Sequence, residues 1–156
     1  MTIDEIIDFV SALEGVLVLR PGPGDGSPEI SWGDTFFYYA PDGVVPTKTQ
    51  PFATIVTKNY PGDEGSRLDR PDTFRVNIAA GKEAFSQWTG HTPREPSPHD
   101  PSTTDTIIPH PVYGSAAWLA VINPGTQTAE PTRELLCTAY DLARSRHNRR
   151  ATPTPD

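Results

Sequence analysis

Apolar residues Ile3, Ile6, Ile7, Val10 and Leu13 recur at helical spacing, which predicts an amphipathic helix at the start of the chain. Thr2 and Glu5 stand three apart, as a capping box requires, and Gly15 lies where such a helix would stop. Beyond Gly15 the period changes from 3.6 to 2. Residues 16–19, 30–39, 52–58 and 74–79 read as strands, with a bulge or break expected at Gly33 and turn signals at residues 21–26 and 41–43. Residues 82–88 predict a short helix with Phe85 and Trp88 on one side and Gly90 at its end. After a Pro-rich stretch, residues 91–106, which is expected to be exposed and mobile, Ile107 and Ile108 resume order and residues 118–122 form the last strand. Leu135, Leu136, Ala139, Tyr140, Leu142 and Ala143 then mark the apolar stripe of a terminal helix over residues 131–146. The polar residues 147–156 are expected to form a disordered tail.

Short connections favour antiparallel neighbours. The pattern therefore predicts an α+β fold in a single domain over residues 1–146: a twisted, mainly antiparallel sheet of five or six strands, with the N- and C-terminal helices on one face. The strand at residues 74–79 carries the clearest alternation. Phe74, Val76 and Ile78 turn toward the helices, which sends Arg75 and Asn77 to the opposite face as surface residues. Large groups also alternate on both sides of neighbouring strands, Phe36 and Tyr38 against Phe37 and Tyr39, and Thr54 and Val56 against Ile55. A sheet with helices on one side normally shows one plainly polar face, so the second face is expected to be partly covered, by the Pro-rich loop, a ligand or a second subunit.

Composition narrows the partners. Thirteen Lys and Arg against twenty Asp and Glu leave a formal charge of −7, which disfavours nucleic acid. The longest apolar run, residues 116–122, falls far short of the roughly 20 residues that span a bilayer, and the N-terminus is acidic and amphipathic, so a cytoplasmic protein without membrane contact is expected. The lone Cys137, flanked by Leu135, Leu136 and Ala139, is expected to face the core.

No segment has the spacing of a known catalytic or cofactor motif, and no cofactor is expected. The glycines at 22–26 lack the Lys-Ser/Thr of a phosphate loop, and Ser66 and Ser115 stand outside G-x-S-x-G. His91, His99, Asp100 and Asp105 offer metal-ligating atoms at spacings that match no recurrent ligand pattern. The residues 60–72, with Asp63, Glu64, Arg67, Asp69 and Arg70, read as a surface loop stitched by its own ion pairs, with a binding role for Arg67 or Arg70 as the alternative. The arginines at 144, 146, 149 and 150 suit the negative end of the terminal helix.

The best pointers to a site lie on the second face. Arg75 and Lys58, near the aromatic rings of Tyr39, Tyr113 and Trp118 and beside Asn77, have the chemistry to bind a carboxylate or a planar group. His110 stands between two prolines, which hold the backbone extended; it is a candidate general acid or base, and its simplest role is to cap loop carbonyls.

The segments FFYY, PFATIVTK, YPGDEGSRLDRPDTFRVNI, PHPVYGSAAW and INPG together resemble an uncharacterised bacterial family over most of residues 2–146, and the order of elements is more distantly similar to MmcQ/YjbR-like proteins. Many of that wider group carry His-x-Asn-Lys-x-His-Trp before the last strand. Here His110 and Trp118 correspond to its ends, with longer spacing and without the Lys and second His. The wider group's DNA-binding label rests on shape. The leading expectation is thus an accessory module that binds a small molecule or protein partner, with a homodimer as one option for its assembly and an unrecognised enzyme or a nucleic-acid-binding protein as alternatives.

Overall fold

The computed structural model describes residues 1–151 and shows an α+β domain built on one six-stranded, fully antiparallel open sheet. In chain order the elements are α1 (Ile3–Ser11), β1 (Val16–Leu19), β2 (Thr35–Tyr39), β3 (Ala53–Val56), β4 (Arg75–Ala79), α2 (Lys82–Thr89), β5 (Ile107–Pro109), β6 (Trp118–Ile122) and α3 (Ala129–Ala151). Strands lie in the order β1-β2-β3-β4-β6-β5, so β4 and its partners β3 and β6 sit in the middle.

The Thr2 hydroxyl accepts from the Glu5 amide at 3.1 Å and the Glu5 carboxylate accepts from the Thr2 amide at 3.1 Å, the reciprocal cap that starts α1. Its buried face is Ile6, Ile7 and Val10. These meet Phe37, Ile55, Val76, Ile78, Leu119 and Val121 from the sheet, with Leu135, Leu136 and Ala139 of α3, in one core on the helix face. The period of two therefore places alternate residues of β2, β3, β4 and β6 in that core. Gly15, at φ +79°, turns the chain from α1 into β1; its carbonyl accepts from the Ala40 amide at 2.8 Å.

Several boundaries differ from the sequence expectation. Residues 29–31 form a single 3-10 turn, so β2 starts only at Thr35. The reason is Asp34: its side chain reaches across to Thr57 and Lys58, which ends one element and starts the next. α3 continues through residues 147–151, where a disordered tail was expected, because His147 stacks edge-on against Tyr39 at 5.2 Å and Arg150 donates to the Thr49 hydroxyl at 3.1 Å. The rest of that expected tail, residues 152–156, lies outside the described residues. Phe85 of α2 is buried while Trp88 stays exposed, and Cys137 is only half-buried, its helix position rotated away from the Leu136 and Ala139 stripe. The Pro-rich segment is mostly exposed but tethered: Asp105 at its end accepts from the amides of Gly125, Gln127 and Thr128 and from the Thr128 hydroxyl, which organises the start of α3. Among the described residues no helix is long and apolar enough to cross a membrane.

Candidate functional site

The second face of the sheet begins with register. Thr54 of β3, Asn77 of β4 and Ala120 of β6 lie side by side, as do Val56, Arg75 and Ile122 one pleat along. Arg75 and Asn77 do point away from the helices, but neither is a surface residue: Arg75 is 2% exposed and Asn77 3%. Two segments cover them. The loop at residues 60–72 lays Asp63 and Ser66 over β4, and the loop after β5 lays His110 and Tyr113 beside β6. A small second core of Val56, Leu68 and Ile122, edged by Tyr60, seals one end.

Arg75 is the hub. Its Nε donates to Asn77 Oδ1 at 2.7 Å, Nη1 donates to Asp63 Oδ1 at 3.0 Å and Ser66 Oγ at 2.9 Å, and Nη2 donates to Asp63 Oδ2 at 2.6 Å. The fork is bidentate on Asp63, the strong geometry for a guanidinium and a carboxylate. Burial pushes the Asp63 carboxyl up, but the hydrogen bonds and charge of Arg75 outweigh it and hold the group below the ordinary carboxylate range. The loop's mixed charges thus do not pair among themselves as the sequence suggested. Asp63 leaves the loop for β4, and Arg70 spends its donors on the carbonyls of Ser66, Arg67 and Ser102, tying this loop to the Pro-rich segment.

His110, 4% exposed, does not cap carbonyls. Its Nδ1 accepts from the amides of Val112 and Tyr113, both at 3.0 Å. An amide can only donate, so Nδ1 carries no proton and the neutral ring holds its proton on Nε2. Nε2 lies 3.2 Å from Arg75 Nη2. Burial and then the positive charge of Arg75 pull the imidazole down to about 3, against the opposing pull of Asp63. The ring is neutral at ordinary pH, with its donor at the floor of a cleft.

That cleft, about 730 Å³, is walled by Ile30, Phe36, Pro51, Tyr60, Val112, Tyr113 and Trp118, with Thr54, Asn77, Arg75, Asp63 and His110 below. The Tyr113 ring lies 4.9 Å from His110, tilted by 41°, and Trp118 approaches both rings at 6.4 Å. Of the residues expected together, Arg75, Asn77, His110, Tyr113 and Trp118 converge here.

Tyr39 and Lys58 do not. Tyr39 lies on the helix face, edge-on to Tyr140 at 5.7 Å, and borders a different cavity of about 540 Å³ with Lys48, Arg146 and His147, because its place on β2 puts it with Phe37. Lys58 donates to the Trp32 carbonyl at 2.7 Å and to Asp34 Oδ1 at 3.0 Å. Asp34 is 1% exposed, and the Tyr60 hydroxyl donates to its other oxygen. Burial first, then this bond, raise the Tyr60 phenol, so it remains a neutral donor. Asp105 is spent on the amides of Gly125, Gln127 and Thr128 just before α3 and Asp100 on Ser102, and among the described residues no three His, Cys, Asp or Glu side chains gather as metal ligands.

Sequence reasoning missed Asp63, Phe36 and Thr54 as parts of this cleft. Phe36 and Thr54 were readable from the period of two; Asp63 had no signal beyond its charge, since the loop's path over β4 is a tertiary matter.

Fold and cleft define an open-faced antiparallel α+β domain with helices on one side and a loop-covered, aromatic-walled cleft on the other. The chain belongs to a family of unknown function, DUF6194, whose model matches residues 1–152. No curated protein and no solved structure matches it, and the more distant MmcQ/YjbR-like resemblance is not shown.

Proposed function

We propose that this domain is a binding module for a small, largely apolar molecule held in the cleft on the second sheet face. The observation that carries the reading is the cleft itself: about 730 Å³, lined mainly by aromatic and apolar side chains, with Arg75, Asn77 and His110 among its few polar groups. Ligand sites are commonly concave spaces of roughly 300–1,000 Å³ with a few placed polar groups in an apolar lining. Concavity favours a small molecule over a flat protein partner, and the net charge of −7 weighs against nucleic acid.

Binding is better supported than catalysis. A general base needs a free lone pair and a pKa near the working pH. The His110 lone pair at Nδ1 is spent on two amides, its imidazole titrates at about 3, and Asp63 is locked in the Arg75 fork. The test is a fragment screen by ligand-observed NMR, repeated with Tyr113→Ala. Tyr113 is 56% exposed, so its loss leaves the fold intact. Aromatic fragments are expected to bind the parent protein and to weaken by about threefold or more in the variant, the worth of one ring contact. A screen without hits, or hits indifferent to Tyr113→Ala, would sink the reading.

A further inference from the structure

The hydrogen bonds at the floor of the cleft do not close. Arg75 has five N–H groups, and four of them have oxygen acceptors: Asn77, Ser66 and both oxygens of Asp63. The fifth, on Nη2, faces His110 Nε2 at 3.2 Å. Because Nδ1 is already an acceptor for two amides, Nε2 bears the ring proton and has no lone pair to offer. Two donors therefore meet where one acceptor is needed. Both groups are buried, at 2% and 4% exposed, and both line the cleft. Leaving such donors without an acceptor forfeits their hydration with no hydrogen bond in return.

We infer that the cleft is built for an uncharged carbonyl compound, whose oxygen accepts from both His110 Nε2–H and Arg75 Nη2–H while its apolar body lies against Phe36, Tyr113 and Trp118. This deepens the small-molecule reading and rests on it. Charge decides between a carbonyl and a carboxylate. The positive charge of Arg75 is already matched by Asp63 at 2.6 Å, and His110 is neutral, so the floor carries no net charge. A carboxylate placed there would meet the Asp63 carboxylate across the same guanidinium and would lose its hydration without a free counter-ion. A ketone, amide or lactam oxygen loses far less hydration than a carboxylate and gains two donors, one of them charged. Thr54 supports the same choice: its hydroxyl oxygen accepts from Asn77 Nδ2 at 2.9 Å, which leaves its own O–H to turn toward a ligand.

Three probes of one shape separate the possibilities: indane, indanone and indane carboxylate, titrated into the full chain and followed by NMR. Indanone is expected to bind about tenfold or more tighter than either of the others, since tenfold corresponds to ~1.4 kcal/mol and two donors supply at least that. Indane binding as tightly as indanone would overturn the carbonyl inference and leave the apolar cleft standing. The carboxylate binding tightest would overturn it in favour of an anion site. If none of the three binds, the cleft reading falls with it. His110→Asn provides the second arm. An Asn carbonyl oxygen replaces Nδ1 as acceptor for the Val112 and Tyr113 amides, as in an Asx turn, while the Nε2 donor is gone. The indanone preference should drop to near the level of indane; an unchanged preference refutes the assignment. Should that variant fail to fold, the wild-type His110 Nε2–H proton resonance decides. It must move with indanone and stay still with indane, and a resonance indifferent to indanone refutes the proposal.

Discussion

Replacing Arg75 by Met keeps most of the side chain's length and removes its charge. In a solvated strand position that exchange would change little. Here the residue is 2% exposed and its loss strips donors from both Asp63 oxygens, from Asn77 Oδ1 and from Ser66 Oγ. The dominant penalty is the stranded Asp63 carboxylate, whose side chain is 11% exposed. Breaking one partner of a buried pair typically costs about 3–5 kcal/mol. For a domain of this size each kcal/mol moves the melting temperature by roughly 2–4 °C, so Arg75→Met should lower it by about 6–20 °C. Adding Asp63→Asn should then recover ~1 kcal/mol or more, because the orphaned charge is removed even though the hydrogen bonds are not. Urea unfolding of the parent, both single variants and the double variant measures the cycle. A loss below about 1 kcal/mol for Arg75→Met, or no recovery in the double variant, would refute the view that a buried ion pair organises the second face.

Acid should weaken the fold through His110 before it weakens Asp63. The imidazole is depressed from 6.5 to about 3, so the unfolded chain binds a proton that the folded chain refuses; stability is full above 6.5 and falls as pH drops toward 3, at up to ~1.4 kcal/mol per unit for one proton. Asp63, lowered from 3.8, contributes stability above 3.8 that is lost only as pH falls further, through its folded value. Urea midpoints between pH 7 and pH 4, compared for wild type and His110→Asn, should therefore show a steeper fall in the wild type, and parallel curves would contradict the buried neutral ring. Gly15→Ala should cost about 1–3 kcal/mol in the same assay, because the residue sits at φ +79° and a Cβ would lie 2.7 Å from Tyr39 Cε1, whereas Gly22→Ala, with nothing within 4 Å, should be close to neutral.

Much of the architecture was legible in the pattern of residues. The capping box at Thr2, the apolar spacing of α1 and the alternation of Val76 and Ile78 against Arg75 and Asn77 are local consequences of helix and strand geometry, and each reappears in the structure. Element ends were less legible where a side chain overruled propensity, as Asp34 did at the start of β2 and His147 at the end of α3. The apolar and aromatic residues on both sides of β2 and β3 also announced a covered second face.

What covers that face was not legible. Asp63 lies 12 residues before Arg75 in sequence and His110 lies 35 after it, and nothing in their spacing says that one guanidinium gathers both. Tyr39 and Lys58 carried the same kind of local signal as Tyr113 and Trp118, yet the fold sends the first two to Tyr140 and Asp34. Period and propensity act between residues a few positions apart, so the sequence by itself determined the sheet, its helix-packed side and the direction each strand residue faces. Burial, ion pairing and the tautomer of His110 depend on groups brought together by loops. Only the tertiary structure decided that Arg75 is a buried hub and that it meets His110 at the floor of an aromatic cleft.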